Sequence, residues 1–296
     1  MAVGWQRVVR NGLDVVELAT AASLCSIALH GAQVLSFQPR GGRDRLWVSD
    51  KARWNVGSAL RGGIPLCFPW FGPHATGPGF PAHGFARTRL WRLVGVDELP
   101  DAKPRAVFEL RADEQTRPLF PYAFTARSTV IAGEDLELSF EVENDGAEAF
   151  EFEIAMHSYF AVSDIAAVSV EGLGGSSYVD KVAGGAGHQQ AVGALEIAGE
   201  VDRVYTSGGP LALIDPGHPT LHLEGQGIAS AVVWNPGPAK ARALGDIDPE
   251  DYRRFVCLEM GNLGPGRISL AAGARHVSAV RIRNEDLGSR RGGEAR

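Results

Sequence analysis

Two residues on separate predicted strands offer the chemistry of an acid and a base: His157, in the segment MHSYF, and Glu259, in VCLEMG. An imidazole and a carboxylate are what proton transfer near neutral pH requires. A further group lies in one stretch, RGGIPLCFPWFGPHATGPGFPAHGFAR at residues 61–87, which has Arg61 and Arg87 at its ends and His74 and His83 between them. Guanidinium groups beside a histidine suit a sugar or an anionic group such as a phosphate. Each candidate has a structural alternative. A lone strand histidine is commonly a hydrogen-bonded structural residue, and loop arginines are commonly solvated. Other chemistries lack their residues: there is no P-loop, dinucleotide fingerprint, GxSxG, CxxC or HExxH. His74 and His83 have no further close ligands in sequence, so a metal site is not expected.

The elements that must position these groups read as strands and one shaped loop. Residues 61–87 are too rich in glycine and proline for a helix and poorly suited to a central strand, because proline removes a donor and fixes φ. Phe68, Trp70, Phe71, Phe80 and Phe85 make the stretch too apolar for disorder, so it is expected to wall a binding site. Leu136, Leu138, Phe140 and Val142 alternate with Glu137, Ser139, Glu141 and Glu143 before the turn Asn144-Asp-Gly. A returning strand then alternates Phe150, Phe152, Ile154 and Met156 with Glu151, Glu153, Ala155 and His157. That parity turns His157 away from the phenylalanines, toward a polar, accessible surface. Glu259 shares a face with Phe255 and Cys257, so it is expected to be paired or to have a raised pKa. Shorter strands are expected through residues 13–37, 46–48, 90–96, 107–111, 211–214, 221–223 and 229–234. Residues 172–193 read as connecting loop, although YVDK at 178–181 sits within them. No helical periodicity, repeat or linker divides the chain. The expectation is one all-β domain over residues 1–296, an antiparallel sandwich whose charged tail, 284–296, is frayed.

Composition narrows the partners. The 296 residues are 45% hydrophobic and carry a formal charge of -6, which argues against nucleic acid or an anionic membrane surface. Three cysteines, Cys25, Cys67 and Cys257, each in an apolar context, do not form a disulfide framework. No leader-like or membrane-length apolar run is present. A cytoplasmic protein with a small-molecule partner is expected, and a monomer, since no strand shows an unaccounted apolar stripe.

Taken in order, RGGIPLCFPWFGP, HGFAR, MHSYF, YVDK, DRVY at 202–205, VVWNP and DYRRFVCLE resemble the glucose-6-phosphate 1-epimerases, or hexose-6-phosphate mutarotases, of the aldose 1-epimerase superfamily. The resemblance runs from about residue 47 to 259. It implies a galactose-mutarotase-like β supersandwich of antiparallel sheets with few short helices. It also implies that His157 and Glu259 are the catalytic pair and that Arg61, His83, Arg87 and Asp202 line a sugar and phosphate pocket. The reaction implied is interconversion of the α and β anomers of a hexose 6-phosphate, with no cofactor. The segment GDIDPE at 245–250 departs from the family's pattern, which puts Asp246 and Asp248 in question as ligands. Trp70, Phe71 and Trp234 are candidates to stack on a sugar. A histidine acid is expected to be protonated near neutral pH, promoted by a carboxylate such as Asp202 or Glu259. Two rival readings use the same cleft: an epimerase of unphosphorylated aldoses, and a catalytically silent carbohydrate-binding protein.

Overall fold

The alternation in residues 136–143 places one row of side chains in a core and the other at the surface, and the computed structural model, which describes residues 3–285, builds a large sheet on that pattern. Leu136–Asn144 lies between Phe124–Ala132 and Arg275–Glu285 in a nine-stranded antiparallel sheet. Its Leu138, Phe140 and Val142 are buried, whereas Glu137, Glu141 and Glu143 are partly exposed. Facing the same core is an eight-stranded sheet. Its central strand, Phe255–Asn262, pairs with Ser230–Asn235 on one side and with Ile154–Met156 and Tyr159–Ala161 on the other. A four-stranded N-terminal sheet, Gly4–Arg10 through Gln33–Pro39, completes the architecture together with the small pair Phe150–Phe152 and Ile268–Leu270.

Every residue of Phe255–Asn262 is buried, so this strand has two covered faces. Val256, Leu258 and Met260 enter the main core with Met156, Phe160 and Val233, against Phe108, Phe124 and Phe140 of the other sheet. Phe68 sits at the middle of this core, its ring 5.3 Å from Phe124, 5.5 Å from Phe140 and 5.5 Å from Phe152. Burying that ring anchors one end of the 61–87 segment. Phe255, Cys257 and Glu259 point to the opposite face, where the site lies.

Several expectations are corrected. The strand after Asn144 does not fold back on Leu136–Asn144; Phe150–Phe152 and Ile154–Met156 pair in two other sheets. Alternation fixes which face is buried and leaves the partner strand open. Residues 172–193 are not all loop, since Ser177–Asp180 and Ala186–Gln189 form a hairpin on the sheet edge. Within residues 61–87, Leu66–Cys67 does pair as a short strand with Ile154–Met156. Residues 46–48 make isolated bridges only, and Gly4–Arg10 is an additional strand. Among the described residues one short α-helix occurs, Gly237–Ala243, too brief to show a period. Asn284 and Glu285 end a strand and are not frayed; the rest of the expected tail lies outside the described residues. Among the described residues, no helix is long and apolar enough to cross a membrane. The three cysteines are buried and unpaired.

Candidate active site

Strand register brings the candidate acid and base together. Met156 stands opposite Met260 and Tyr159 opposite Cys257, and these two pairings share one antiparallel register. Continuing that register through the gap sets His157 opposite Glu259, on the same face of the pleat. His157 Nε2 and Glu259 Oε1 are 3.2 Å apart. The His157 amide turns outward from the pair and donates to Pro65 O at 2.9 Å, which ties the strand to the 61–87 segment. Trp234 lies opposite both Cys257 and Asp202 on its two neighbouring strands, so Asp202 joins the same face. The amide of Lys181 donates to Asp202 O at 2.9 Å, adding one more residue to the row.

Glycines shape the wall. Gly62 and Gly63 have φ of 115° and 62°, and a Cβ on them would lie 2.4 Å from Trp47 O and 2.2 Å from Val34 O. Arg61 is thereby delivered beside Tyr159. At the far end Gly84, with φ of 70°, passes so close to Phe68 O that a Cβ would sit 2.0 Å away. His83 itself has φ of 64°, a left-handed conformation uncommon outside glycine. Its Nδ1 accepts from the Gly72 amide at 3.3 Å, which leaves Nε2 to carry the proton of the neutral ring.

These walls enclose a cavity of about 350 Å3. Arg61, His83, Arg87, His157, Asp202 and Glu259 all line it, and so do Phe71 and Trp234. Trp70 does not; its Nε1 donates to Pro81 O at 3.0 Å, and its ring packs on His74 and Phe80. Asp246 lines the cavity, bonded to Arg61, whereas Asp248 pairs with Lys51 outside it. Tyr159, Lys181 and Lys240 are lining residues that sequence reasoning missed. The signal for Lys181 was present in YVDK, at the end of a strand read as loop. Lys181 Nζ lies 4.6 Å above the Phe71 ring and 3.9 Å from Asp202.

Burial sets the charge states. The Glu259 pKa is pushed well up, chiefly by loss of water; Lys181 and Arg87 oppose this and Asp202 adds to it. His157 is pushed well down by burial, reinforced by His83, Arg87 and Arg61. His83 falls to about 3 for the same reasons, with Arg87, Lys181 and Arg61 as the nearby charges. Asp202 is raised by burial, against the pull of Lys181. Two expectations are therefore corrected. His157 is 6% exposed at the floor of a cavity and not on an open polar surface, and burial there favours its neutral ring. The prediction of a paired or raised-pKa Glu259 matches its 1% exposure and its contact with His157.

The cavity wants polar partners. Arg87 Nε, His157 Nδ1, Asp246 Oδ1 and Glu259 Oε2 are buried without a hydrogen bond, and all belong to lining residues. Such groups are costly unless a ligand or ordered water meets them. Among the described residues, no three His, Cys, Asp or Glu side chains converge to hold a metal ion. Paired proton-transfer groups, a donor histidine, cations and an aromatic wall together suit a sugar bearing an anionic group.

The match to known proteins spans nearly the whole chain, with residues 14–283 aligning to the aldose 1-epimerase family. The chain belongs to the aldose 1-epimerase family. This aldose 1-epimerase homologue is 36% identical over 251 residues to a Salmonella typhimurium protein provisionally named glucose-6-phosphate 1-epimerase, covering 84% of this chain and 83% of that one. The crystal structure of a provisionally named mutarotase, also from Salmonella typhimurium, matches with a TM-score of 0.88 at 33% identity, covering 95% of this chain and 94% of the other. A galactose mutarotase-like protein from Lactobacillus casei shares the fold with a TM-score of 0.72 at 19% identity, over 92% of this chain and 100% of that one. The family's β supersandwich is the fold described above.

Proposed function

We infer that this aldose 1-epimerase homologue interconverts the α and β anomers of a hexose 6-phosphate, glucose 6-phosphate foremost, by acid–base opening and closing of the sugar ring. The observation that carries the reading is the buried His157 and Glu259 pair, 3.2 Å apart, on the floor of a cavity that also holds Arg87 and Lys181.

Ring opening moves two protons. Glu259 takes the proton of the C1 hydroxyl, C1=O1 forms, the C1–O5 bond breaks, and its electron pair captures a proton from His157 at O5. Rotation about C1–C2 presents the other face of the aldehyde, and the same groups act in reverse. The pair holds one proton throughout: imidazolium and carboxylate become imidazole and carboxylic acid. Burial favours the second, neutral combination, which is the one that accompanies the open chain. The imidazolium–carboxylate form that starts the step is therefore the one that substrate binding has to bring about.

Substrate charge completes the arrangement. Arg87 donates to Ala82 O at 2.7 Å and, among the described residues, has no carboxylate partner. With Lys181 it offers charge-assisted donors to a phosphate. A bound dianion would offset cations that hold His157 neutral, raising its pKa toward the value that protonating O5 needs. His83, with its proton on Nε2, offers a fixed donor to a sugar hydroxyl. The test is anomer exchange measured on glucose 6-phosphate and on glucose side by side. Catalysis that prefers the phosphorylated sugar supports the reading, and catalysis that prefers glucose replaces it with an epimerase of free aldoses.

A further inference from the structure

The turn through residues 69–73 is a partition: Phe71 and Pro73 line the catalytic cavity on one side and, on the other, a groove that also holds Trp70, Phe120, Glu153 and Arg267. Glu153 lies on the groove side, out of reach of a ligand in the cavity, yet it grips the partition closely. Its amide donates to Pro69 O at 2.9 Å, and its Oε2 accepts from the Phe71 amide at 3.0 Å. Its Oε1 accepts from the Gly264 amide at 2.7 Å, with Arg267 Nη2 at 3.9 Å. One carboxyl group thus supplies acceptors to two loop amides. Leu263, the residue before Gly264, packs with Phe71 in one cluster alongside Cys67, Ala155 and Val232. The grip therefore fixes both the Phe71 backbone and part of the wall against which its ring rests.

Inside the cavity that ring is a platform. Lys181 follows the strand Ser177–Asp180, and its ammonium lies 4.6 Å from the Phe71 ring centroid. Asp202 Oδ1, at 3.9 Å, is too distant for a hydrogen bond, so the ring face sets the height of the ammonium above the wall. A lysine has a long flexible stem, and holding its charge in one place costs rotamer freedom unless a surface restricts it. His83 meets the same ring edge-on, at 4.7 Å and 85°. Its own anchors are separate from Glu153: its amide donates to Gly72 O at 2.7 Å, and its Nδ1 accepts from the Gly72 amide at 3.3 Å.

We propose that Glu153 is a positioning residue for substrate choice: by gripping the Phe71 amide from outside the cavity, it sets the ring on which Lys181 rests and so holds that ammonium ready for the phosphate of the substrate. This rests on the hexose 6-phosphate reading of the cavity. Glu153 touches neither the sugar nor the reacting atoms, and its influence passes through Phe71 to Lys181. Preorganising a cation spares the binding step the cost of ordering it, so the effect falls on affinity for the phosphorylated sugar and not on the proton transfers of His157 and Glu259.

A double-mutant cycle on Glu153→Ala and Lys181→Met tests the proposal. Glu153→Ala should raise KM for glucose 6-phosphate about 3-fold or more, the scale of a partly exposed cation–π contact, with kcat and the kcat/KM for glucose changing less than about 1.5-fold. In the Lys181→Met background the same change should add nothing, because both act through one ammonium. Glu153→Gln, whose amide oxygen can still accept from Phe71, should fall between Glu153→Ala and the parent, and it takes the place of Glu153→Ala in the cycle should that variant fail to fold. Equal losses on both sugars, a fall in kcat alone, or losses that multiply in the double variant overturn the proposal. A readout without turnover accompanies the kinetics: the Lys181 side-chain methylene signals, displaced by the Phe71 ring current, should move toward free-lysine positions in the Glu153 variants. Unmoved signals overturn the proposal. A wild-type protein that does not exchange the anomers of glucose 6-phosphate overturns the functional reading instead, and these signals then decide the positioning role alone.

Discussion

His157 and Glu259 face each other across adjacent antiparallel strands, in a register set by Met156 opposite Met260 on one side and Tyr159 opposite Cys257 on the other. Their 3.2 Å approach is thus a property of the sheet and not of flexible loops. A one-residue slip would turn one of the two into the core. The cavity-lining cations Arg87 and Lys181, by contrast, come from the 61–87 segment and a hairpin end.

Burying Glu259 costs stability at neutral pH. Its pKa is raised in the folded protein, so the unfolded chain gains more from ionisation as pH rises above about 4.5, the ordinary glutamate value. Glu259→Gln should therefore raise Tm, and the gain should grow with pH through the neutral range, while anomerisation falls about 10²-fold or more. Thermal melts at pH 5 and pH 8 check the sign. A variant less stable than the parent at pH 8 contradicts the raised pKa.

The shared proton sets the pH profile. With His157 pushed down and Glu259 pushed up by burial, the one-proton state of the pair spans a wide interval. The kcat/KM for an unphosphorylated aldose should accordingly be flat across neutral pH, falling only where the pair gains a second proton or loses its one. A narrow bell centred near 6.5 in that profile argues against the assigned pair.

Arg87 and Lys181 should read the phosphate. Arg87→Ala or Lys181→Met is expected to lower kcat/KM for glucose 6-phosphate by about 2 kcal/mol, the scale for a hydrogen bond to a charged group. Activity on glucose should change far less. Equal losses on both sugars would assign these side chains to the fold.

The wall depends on Gly84. An alanine there would set its Cβ 2.0 Å from Phe68 O at φ of 70°. Gly84→Ala should destabilise the protein by about 1–3 kcal/mol or more, the range for a strained backbone position, and lower activity by displacing His83. Urea unfolding and the anomerisation rate test both parts.

Much of this arrangement was legible in the sequence, because period-two patterns report which face of a strand is buried. Glu259 could be placed beside Phe255 and Cys257 on that ground alone, and residues 61–87 could be recognised as a wall because proline and glycine exclude regular structure. Pairing was not legible. Nothing in the alternation of residues 150–157 says that the strand leaves its sequence neighbour for Phe255–Asn262, and it is that partnership which buries His157. The neutral ring escaped prediction for the same reason, since desolvation depends on what covers a residue. Lys181 and Tyr159 were missed because one ends a glycine-rich hairpin and the other reads as ordinary core.

One buried acid–base pair should open and close the ring of a hexose phosphate. Exchange NMR between the α and β anomers of glucose 6-phosphate, with wild-type protein and with folded His157→Asn and Glu259→Gln variants, tests it most directly. Exchange cross-peaks should grow in proportion to wild-type concentration and fall about 10²-fold or more in either variant. Exchange at the spontaneous rate with wild-type protein, or at the parent rate in either variant, would contradict it.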